Sequence, residues 1–210
     1  MSHSLTIAGF LWVILSVLGA FAASSGFFLP YWIQGQIYNT TVYLGVFRRC
    51  NFLKKRANGL SILVQACGRY ASFQDIPSEA WKASTVMIGI GCGFLLVVAF
   101  TAMFSCCCKD IVTRTSARVG GALQVLAGFL LAIACGIYPS GWGSVEFKQA
   151  CGKEANFYRL GHCKLSWAFF LFVAGTGSAF ICAVLSTRAA KQNKPIYSRT
   201  SIERSNSFIM

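Results

Sequence analysis

The charged residues of this chain divide it into four long uncharged stretches separated by polar segments. No Lys, Arg, Asp or Glu precedes Arg48. Each stretch can contain the roughly 20 apolar residues that a helix needs to cross the hydrocarbon of a bilayer. The three further uncharged stretches are residues 83–108, 119–145 and 165–187.

The uncharged stretches predict four membrane-spanning helices. Inside hydrocarbon, every backbone N–H and C=O must be paired within the protein, and a single stretch achieves this as a helix. Buried helices of a soluble protein are the alternative, but four stretches of this length in one small chain argue against it. The predicted spans are about Leu5–Pro30, Ser84–Cys108, Val119–Pro139 and Leu165–Thr187.

The first span has a second interpretation as a cleaved signal peptide. Leu5–Leu18 is apolar, and the small-residue run Ala20-Phe21-Ala22 resembles a cleavage site. No Lys or Arg precedes this stretch, and the apolar residues continue through Gly26-Phe27-Phe28-Leu29. We therefore expect the first span to stay in the protein as a membrane helix.

The loop of residues 31–83 is predicted to fold partly as a β-sheet. Tyr31–Tyr38 and Thr41–Arg49 are rich in aromatic and β-branched residues, with Asn39-Thr40 as the turn between them. Leu60–Val64 is a third expected strand, Ala71–Phe73 could add a short piece, and residues 140–164 could supply an edge strand. Pro77, Ser78 and Glu79 are typical of a helix start.

The pattern as a whole predicts a mainly α membrane protein. We expect a four-helix transmembrane bundle in residues 1–187, a small extracellular antiparallel sheet carried by loops 31–83 and 140–164, and a disordered cytosolic tail over residues 188–210. Composition supports this, because 55% of the residues are hydrophobic and 12% are charged. An average soluble domain carries roughly twice that share of charge.

The net charge of +13 raises the question of nucleic-acid binding. The basic residues lie in the loops and tail, where they flank the spans and meet anionic lipid headgroups. No basic stripe on a soluble fold remains to follow a phosphate backbone. We therefore expect the basic residues to contact the lipid bilayer and not a nucleic acid.

Cysteine placement indicates which side each loop faces. Two cysteines lie in each of the two longer loops, which fits oxidation outside the cytosol. Pairing within each loop is the simplest choice, although spacing alone leaves the connectivity open. Asn39 begins a glycosylation sequon in the first loop. We therefore place both loops outside and both termini in the cytosol; the four loop cysteines are Cys50, Cys67, Cys151 and Cys163.

The remaining cysteines lie in or near the predicted spans. Those in mid-span are expected to pack as small apolar residues. Three consecutive cysteines at the cytosolic end of the second span are candidates for palmitoylation, since a metal site would need accompanying His or carboxylate ligands. The first group is Cys92, Cys135 and Cys182, and the second is Cys106, Cys107 and Cys108.

Small residues recur every four positions along three spans, which lets helices approach closely in lipid. We expect these residues to pack inside the bundle; a face left for a partner's helix is the alternative. Gln124 is the strong amide within a span and is expected to bond across helices, with a pore-lining role as the alternative. The stripes are Gly89 and Gly93; Gly128, Ala132 and Gly136; and Gly175, Ala179 and Ala183.

No catalytic constellation is found in the sequence. Its six carboxylates lie in loops or the tail, and its two histidines are far apart. A general acid–base pair needs two titrating groups within reach of one substrate. Transporters and proton relays usually carry charges at mid-membrane. We therefore expect no enzyme, no cofactor and no metal.

Two sets of motifs resemble known families. Trp32, Gly45-Val46-Phe47-Arg48-Arg49-Cys50 and Cys67 resemble the W…GLWxxC…C signature of the claudin-like tetraspans, with Phe47 in place of a tryptophan. A longer set is similar to the lipoma HMGIC fusion partner-like (LHFPL) family, in the subgroup of its founding member. That set is Gly26–Trp32, Phe47–Cys50, Cys67–Phe73, Tyr138-Pro139 with Gly141-Trp142, Cys151-Gly152, and Gly161, Cys163 and Trp167.

The LHFPL resemblance implies a left-handed four-helix bundle with an extracellular sheet. It also implies a role as auxiliary subunit, as for relatives in a hair-cell mechanotransduction channel complex or with inhibitory GABA-A receptors. We therefore expect an auxiliary subunit or chaperone whose partner is a larger plasma-membrane channel, receptor or adhesion molecule. The aromatic residues Tyr38, Tyr43 and Phe73 are the expected anchors, unless they pack within the sheet or against headgroups.

Two alternatives remain open. A claudin-type adhesion protein would pair its sheet with copies of itself, although the basic turn Lys54-Lys55-Arg56 would repel itself across a symmetric contact. The C-terminal residues Phe208-Ile209-Met210 loosely fit a PDZ ligand, which would make the tail a trafficking or scaffold contact.

Overall fold

The structure is a computed structural model that describes the backbone of residues 7–55, 60–107 and 114–191. It also describes their side chains, except at 55, 105–107, 114 and 189–191. Cys108, Arg56 and the tail beyond 191 therefore lie outside the described residues, as do the side chains of Cys106 and Cys107.

Four helices of the described part are long and apolar enough to span a membrane, as predicted. α2 starts at Glu79, which confirms the helix start predicted at Pro77, Ser78 and Glu79. It begins five residues before the predicted span, because its first turn carries a cap and an ion pair. The Trp81 N–H donates to the Ser78 hydroxyl oxygen at 3.1 Å, and Lys82 Nζ lies 2.7 Å from Glu79 Oε1. The helices are α1 (Ile7–Phe28), α2 (Glu79–Cys107), α3 (Arg114–Ile137), a short α4 (Val145–Cys151) and α5 (Trp167–Lys191).

A five-stranded antiparallel sheet lies at one end of the bundle. Its spatial order is β4-β3-β2-β1-β5, so that β4 and β5 form the two edges. The strands are β1 (Ile33–Ile37), β2 (Thr40–Leu44), β3 (Arg48–Lys55), β4 (Ser61–Arg69) and β5 (Lys164–Leu165). The edge strand expected from residues 140–164 is present as β5, which begins at the last residue of that segment and includes Leu165.

Three details of the predicted sheet are wrong. The single strand expected over Thr41–Arg49 is two strands, because the chain turns at Gly45, whose N–H donates to the Arg48 carbonyl at 2.8 Å. A Cβ at Gly45 would lie 2.9 Å from the Leu29 carbonyl oxygen, so the turn needs glycine. The first turn consists of Tyr38 and Asn39 rather than Asn39-Thr40.

The third error concerns Ala71–Phe73, where the chain forms no strand. It bends and enters a 3₁₀ turn over Phe73–Asp75, because the Asp75 carboxylate accepts hydrogen bonds from both the N–H and the hydroxyl of Ser72. The α4 helix, which follows a 3₁₀ segment over Tyr138–Gly143, was also not predicted.

Close packing of small residues joins α1 to α5. A Cβ at Gly175 would lie 2.5 Å from the Ala23 backbone nitrogen, and one at Gly26 would lie 3.0 Å from the Phe172 backbone. Ala179 and Ala183 on the same stripe as Gly175 are buried. The stripe predicted to pack inside the bundle therefore does so in α5.

The corresponding prediction for α2 is wrong. Added Cβ atoms would meet nothing within 4 Å at Gly93 and a single ring atom at 3.9 Å at Gly89, whereas Gly91 lies against Leu131. In α3, Gly128 packs against Phe180, but Gly136 meets nothing within 4 Å. Spacing found the helices that carry small residues but not which face of each helix is buried.

Gln124 bonds across helices, as expected. Its carbonyl oxygen accepts a hydrogen bond from the Trp12 indole at 3.1 Å, and its amide donates to the Ser16 hydroxyl oxygen at 2.7 Å. All three side chains are buried. These bonds link α3 to α1 within the bundle and satisfy the amide in a medium that offers no water.

Candidate docking surface

The sheet is joined to the helix ends by buried aromatic residues. We call the described residues 31–55, 60–78 and 138–166 the cap. Trp32, Trp81 and Tyr138 are fully buried where the cap meets the bundle, and the Trp81 and Tyr138 rings stack with centroids 5.0 Å apart. The Trp32 indole donates to the Gly26 carbonyl at 2.7 Å, and the Tyr138 hydroxyl donates to the Gly45 carbonyl at 3.2 Å. The cap is therefore held rigidly on the bundle.

The turn between β2 and β3 adds a second attachment to α1. Phe47 packs between Phe27 and Phe28, with ring centroids 4.8 and 6.0 Å away. Arg48 donates from Nη1 to the Phe28 carbonyl at 3.1 Å. The claudin-like motif thus fixes the sheet to the last turn of the first span, and Phe47 fills an aromatic site there.

A half-buried charge cluster connects the two loops of the cap. Arg49 Nη1 lies 2.6 Å from Glu146 Oε1, which also accepts a hydrogen bond from the Tyr70 hydroxyl at 3.2 Å. The Arg49 guanidinium stacks on Phe52 and Tyr70, 3.9 and 4.5 Å from the ring centroids. Sequence reasoning missed this cluster, because nothing in the pattern pairs Glu146 with a residue 97 positions earlier.

The environment of Tyr70 changes its acidity. Burial raises the pKa of the Tyr70 phenol above its ordinary value, and the Glu146 carboxylate raises it further, while Arg49 acts in the opposite direction. The phenol therefore stays protonated and remains a hydrogen-bond donor to Glu146. Since Glu146 lies in the first turn of α4, Arg49 lies in β3 and Tyr70 follows β4, the cluster connects α4 to these two strands.

Two disulfides brace the cap. Cys50 pairs with Cys67 across β3 and β4, and Cys151 at the end of α4 pairs with Cys163 just before β5. Their Cα atoms lie 4.0 and 5.0 Å apart. This is the within-loop pairing that was the simplest choice from sequence. The mid-span thiols Cys92 and Cys182 are free and buried, and Cys135 is free and half-buried.

The three expected partner anchors lie on three different elements. Tyr38 occupies the β1–β2 turn and is 83% exposed. Tyr43 lies within β2 and packs edge-on against Tyr31 at 4.9 Å. Phe73 is 46% exposed on the 3₁₀ turn that follows β4. Tyr38 is therefore the most available aromatic anchor of the three.

Asn39 lies beside Tyr38 at the tip of the same hairpin and is exposed. Both turn residues have positive φ, 48° and 62°, as the two-residue turns that suit hairpins require. Glycosylation of Asn39 stays a prediction. A glycan attached there would lie next to Tyr38.

Two clefts open on the cap. One, of about 300 Å³, lies beside the charge cluster and is lined by Arg49, Leu53, Ser61, Pro77, Val145, Glu146 and Gln149. The other, of about 480 Å³, lies along β1 beside the end of α4 and the start of β5. In the described part of the chain, no group of three or more His, Cys, Asp or Glu residues is placed to hold a metal.

Comparison with known proteins gives a consistent result. The family model described as "Lipoma HMGIC fusion partner-like protein" matches residues 8–192. The chain is 33% identical over 205 residues to human LHFPL tetraspan subfamily member 2 protein, covering 88% of this chain and 87% of the relative. It is 32% identical over 203 residues to the zebrafish (Danio rerio) member 2a protein, with coverage of 88% and 87%.

A third relative is the zebrafish LHFPL tetraspan subfamily member 3 protein. It is 33% identical over 181 residues, which cover 85% of this chain and 79% of the relative. The family model, over residues 8–192, takes in nearly all of the first span and the whole of the other three. Placement within the founding member's subgroup stays a prediction.

Proposed function

This chain belongs to the lipoma HMGIC fusion partner-like family of tetraspan membrane proteins, and we propose that it acts without catalysis as an auxiliary subunit of a larger membrane protein. The partner would be a channel, a receptor or an adhesion complex. The observation that carries this proposal is the rigid cap, which exposes Tyr38 at a hairpin tip.

The rigidity of the cap favours a docking role. Binding costs free energy when side chains and loops must be ordered, so a surface that is already fixed loses less of its contact energy. Aromatic attachment, two disulfides and the half-buried Arg49–Glu146 pair fix this surface. An exposed tyrosine on such a surface can bury a large ring with little loss of rotamer freedom.

The proposed orientation places the cap outside the cell and both termini in the cytosol, at the plasma membrane. Two disulfides in the cap support this, since disulfides persist in oxidising compartments. The Asn39 sequon on the exposed hairpin turn is compatible with the same side.

Purification from cells that carry a tag on the chromosomal gene tests the auxiliary role. After mild detergent extraction, the chain should elute with a larger membrane protein in fixed ratio, and Tyr38→Ala should lower the recovery of that protein. Phe157→Ala, at another exposed aromatic of the cap, is the matched control and should leave recovery unchanged. Elution of the chain alone, or ion currents from vesicles that contain only this chain, would contradict the proposal.

A claudin-type adhesion protein is the second candidate, and one observation favours it. β4 is a nine-residue edge strand with no charge between Leu60 and Gly68, and no described strand covers its outer side. Such edges pair readily with other strands. Against this candidate, Lys54 and Arg69 lie near opposite ends of this edge, so in a symmetric antiparallel pair Lys54 of one copy would lie near Arg69 of the other. Aggregation of expressing cells with each other would support adhesion; dispersed cells would reject it.

Two further proposals concern segments beyond the described side chains. We propose that at least one of Cys106, Cys107 and Cys108 is palmitoylated; hydroxylamine-sensitive acyl exchange that disappears in a triple serine variant tests this. We also propose that Phe208-Ile209-Met210 bind a PDZ protein. Deletion of these three residues without change in localisation or partner recovery would remove the second proposal.

A further inference from the structure

The edge of the sheet at β1 is only half covered. β5 pairs with β1 at Ile33 and Gln34, and the pairing stops there. The chain leaves the edge because Cys163 is tied to Cys151 and the His162 N–H donates to the Cys151 carbonyl at 2.8 Å. The second half of β1, Gly35–Ile37, therefore has no strand partner on that side among the described residues.

The geometry identifies the residue that offers its backbone at this open edge. In an antiparallel sheet, alternate residues point their N–H and C=O to opposite sides. The Trp32 carbonyl accepts from the Ser166 N–H at 2.8 Å, so Trp32, Gln34 and Gln36 point toward β5. Gln36 thus presents its N–H and C=O along the line that β5 vacates.

The larger cleft of the cap lies along this vacated line. Its polar side chains come from Gln34, Gln36, Gln149, His162 and Lys164, and no carboxylate lines it. Lys164 is exposed and forms no ion pair with any described residue. A free cation beside open backbone groups suits an extended segment with an acidic side chain.

We propose that this cleft binds an extended acidic segment from the ectodomain of the partner. The segment adds to β1 in line with β5, bonds to the backbone of Gln36, and places an Asp or Glu against Lys164. The proposal rests on the auxiliary role proposed above. Tyr38, two residues beyond Gln36, then becomes the aromatic contact at the end of the added strand.

A second copy of this chain is a poor occupant of the cleft. Two copies that met edge to edge here would bring their Lys164 side chains together with no carboxylate of the cleft to offset them. The like charges disfavour a symmetric contact. An acidic partner strand would instead pair its carboxylate with Lys164 and form hydrogen bonds with the open backbone of Gln36.

Selection from a random octapeptide library tests the proposal. The bait is the full-length protein in phosphatidylcholine nanodiscs, with empty nanodiscs for counter-selection. Wild type should enrich peptides that carry Asp or Glu at one fixed position, and Lys164→Glu should switch that position to Lys or Arg. Enrichment of the same peptides by both proteins, or of none above empty nanodiscs, would overturn the proposal.

Backbone addition is tested by a matched pair at one position. Gln36→Pro removes the outward N–H at an edge where proline is tolerated and should weaken the selected peptide about fivefold. Gln36→Ala keeps the N–H and should change affinity less than twofold. Equal affinities of the two variants, with unfolding temperatures like wild type, would refute strand addition.

Failure of the cleft and failure of the auxiliary role give different results. If the larger membrane protein co-purifies equally with wild type and Lys164→Glu, the cleft is not its binding site and the auxiliary role stands. If wild type purifies alone from native cells, the auxiliary role fails whatever peptides the cleft selects.

Discussion

Replacing Gly175 by alanine should destabilise the bundle at the contact between α1 and α5. The new Cβ would lie 2.5 Å from the Ala23 nitrogen and 2.9 Å from its Cα. Carbon atoms in good contact lie about 3.5–4.0 Å apart, so the two helices must separate by about 1 Å. Gly177 on the same helix is the matched control, because a Cβ there meets nothing within 4 Å.

The magnitude follows from two opposing terms. Overpacking of this kind costs about 1–3 kcal/mol, while replacing glycine by alanine in a helix returns about 0.5–1 kcal/mol. Gly175→Ala should therefore lower the free energy of unfolding by about 1–2 kcal/mol. Gly177→Ala should leave the free energy of unfolding unchanged or raise it slightly. The two variants should therefore differ by about 2 kcal/mol, which is about thirtyfold in the unfolding equilibrium constant.

The assay is reversible unfolding in mixed detergent micelles, titrated with sodium dodecyl sulfate and followed by the fluorescence of the five tryptophans. Both variants carry the same chemical change on one helix, so differences in detergent binding cancel. If Gly175→Ala proved as stable as Gly177→Ala, the close approach of α1 to α5 would be wrong.

Three further predictions use the same assay. Gln124→Leu should lose about 1–2 kcal/mol because the Trp12 indole is left unpaired inside the bundle, and adding Trp12→Phe should recover part of that loss; no recovery would refute the bond. Replacing Cys151 and Cys163 together by serine should cost about 3 kcal/mol through the freed loop, and an unchanged midpoint would refute its bracing role. Stability should fall as pH rises above about 10, since the unfolded chain ionises Tyr70 there while the folded one keeps its proton, and Tyr70→Phe should flatten this fall; an identical pH profile would contradict it.

The helical part of the fold follows from the sequence, because the hydrocarbon of the bilayer requires each uncharged stretch to pair its own backbone groups. Four uncharged stretches can only be helices in hydrocarbon, and the structure has them. The start of α2 at Glu79 also follows from the sequence, because Pro77, Ser78 and Glu79 are typical of a helix start; the Ser78 cap and the Lys82 ion pair extend the helix beyond its uncharged stretch.

Side-chain spacing predicts contact within the membrane less well. Gly89 and Gly93 have the four-residue spacing of close helix contacts, yet the structure leaves them open and buries Gly91. In lipid the inner and outer faces of a span are both apolar, so hydrophobicity does not mark the buried face. Only the partner helix decides which glycine is covered.

In the cap, contacts between residues that are distant in the sequence are the features that the sequence predicts least well. The disulfide pairs were the simplest choice because each loop holds two cysteines. The Arg49–Glu146 bond joins residues from different loops. The α4 helix has only seven residues, which is too short for a clear helical pattern of apolar positions. Tertiary contacts determine both the ion pair and α4, and no local sequence pattern predicts either one.

A docking surface for the ectodomain of a partner must face outside, so the proposed function depends on which side of the membrane the cap occupies. A cysteine introduced as Tyr38→Cys, and another as Ser201→Cys in the tail, can be labelled with a membrane-impermeant maleimide on overexpressing cells. If the cap faces outside, Tyr38→Cys is labelled on intact cells and Ser201→Cys only after permeabilisation. Labelling of Ser201→Cys on intact cells, with Tyr38→Cys protected until the cells are opened, would contradict it.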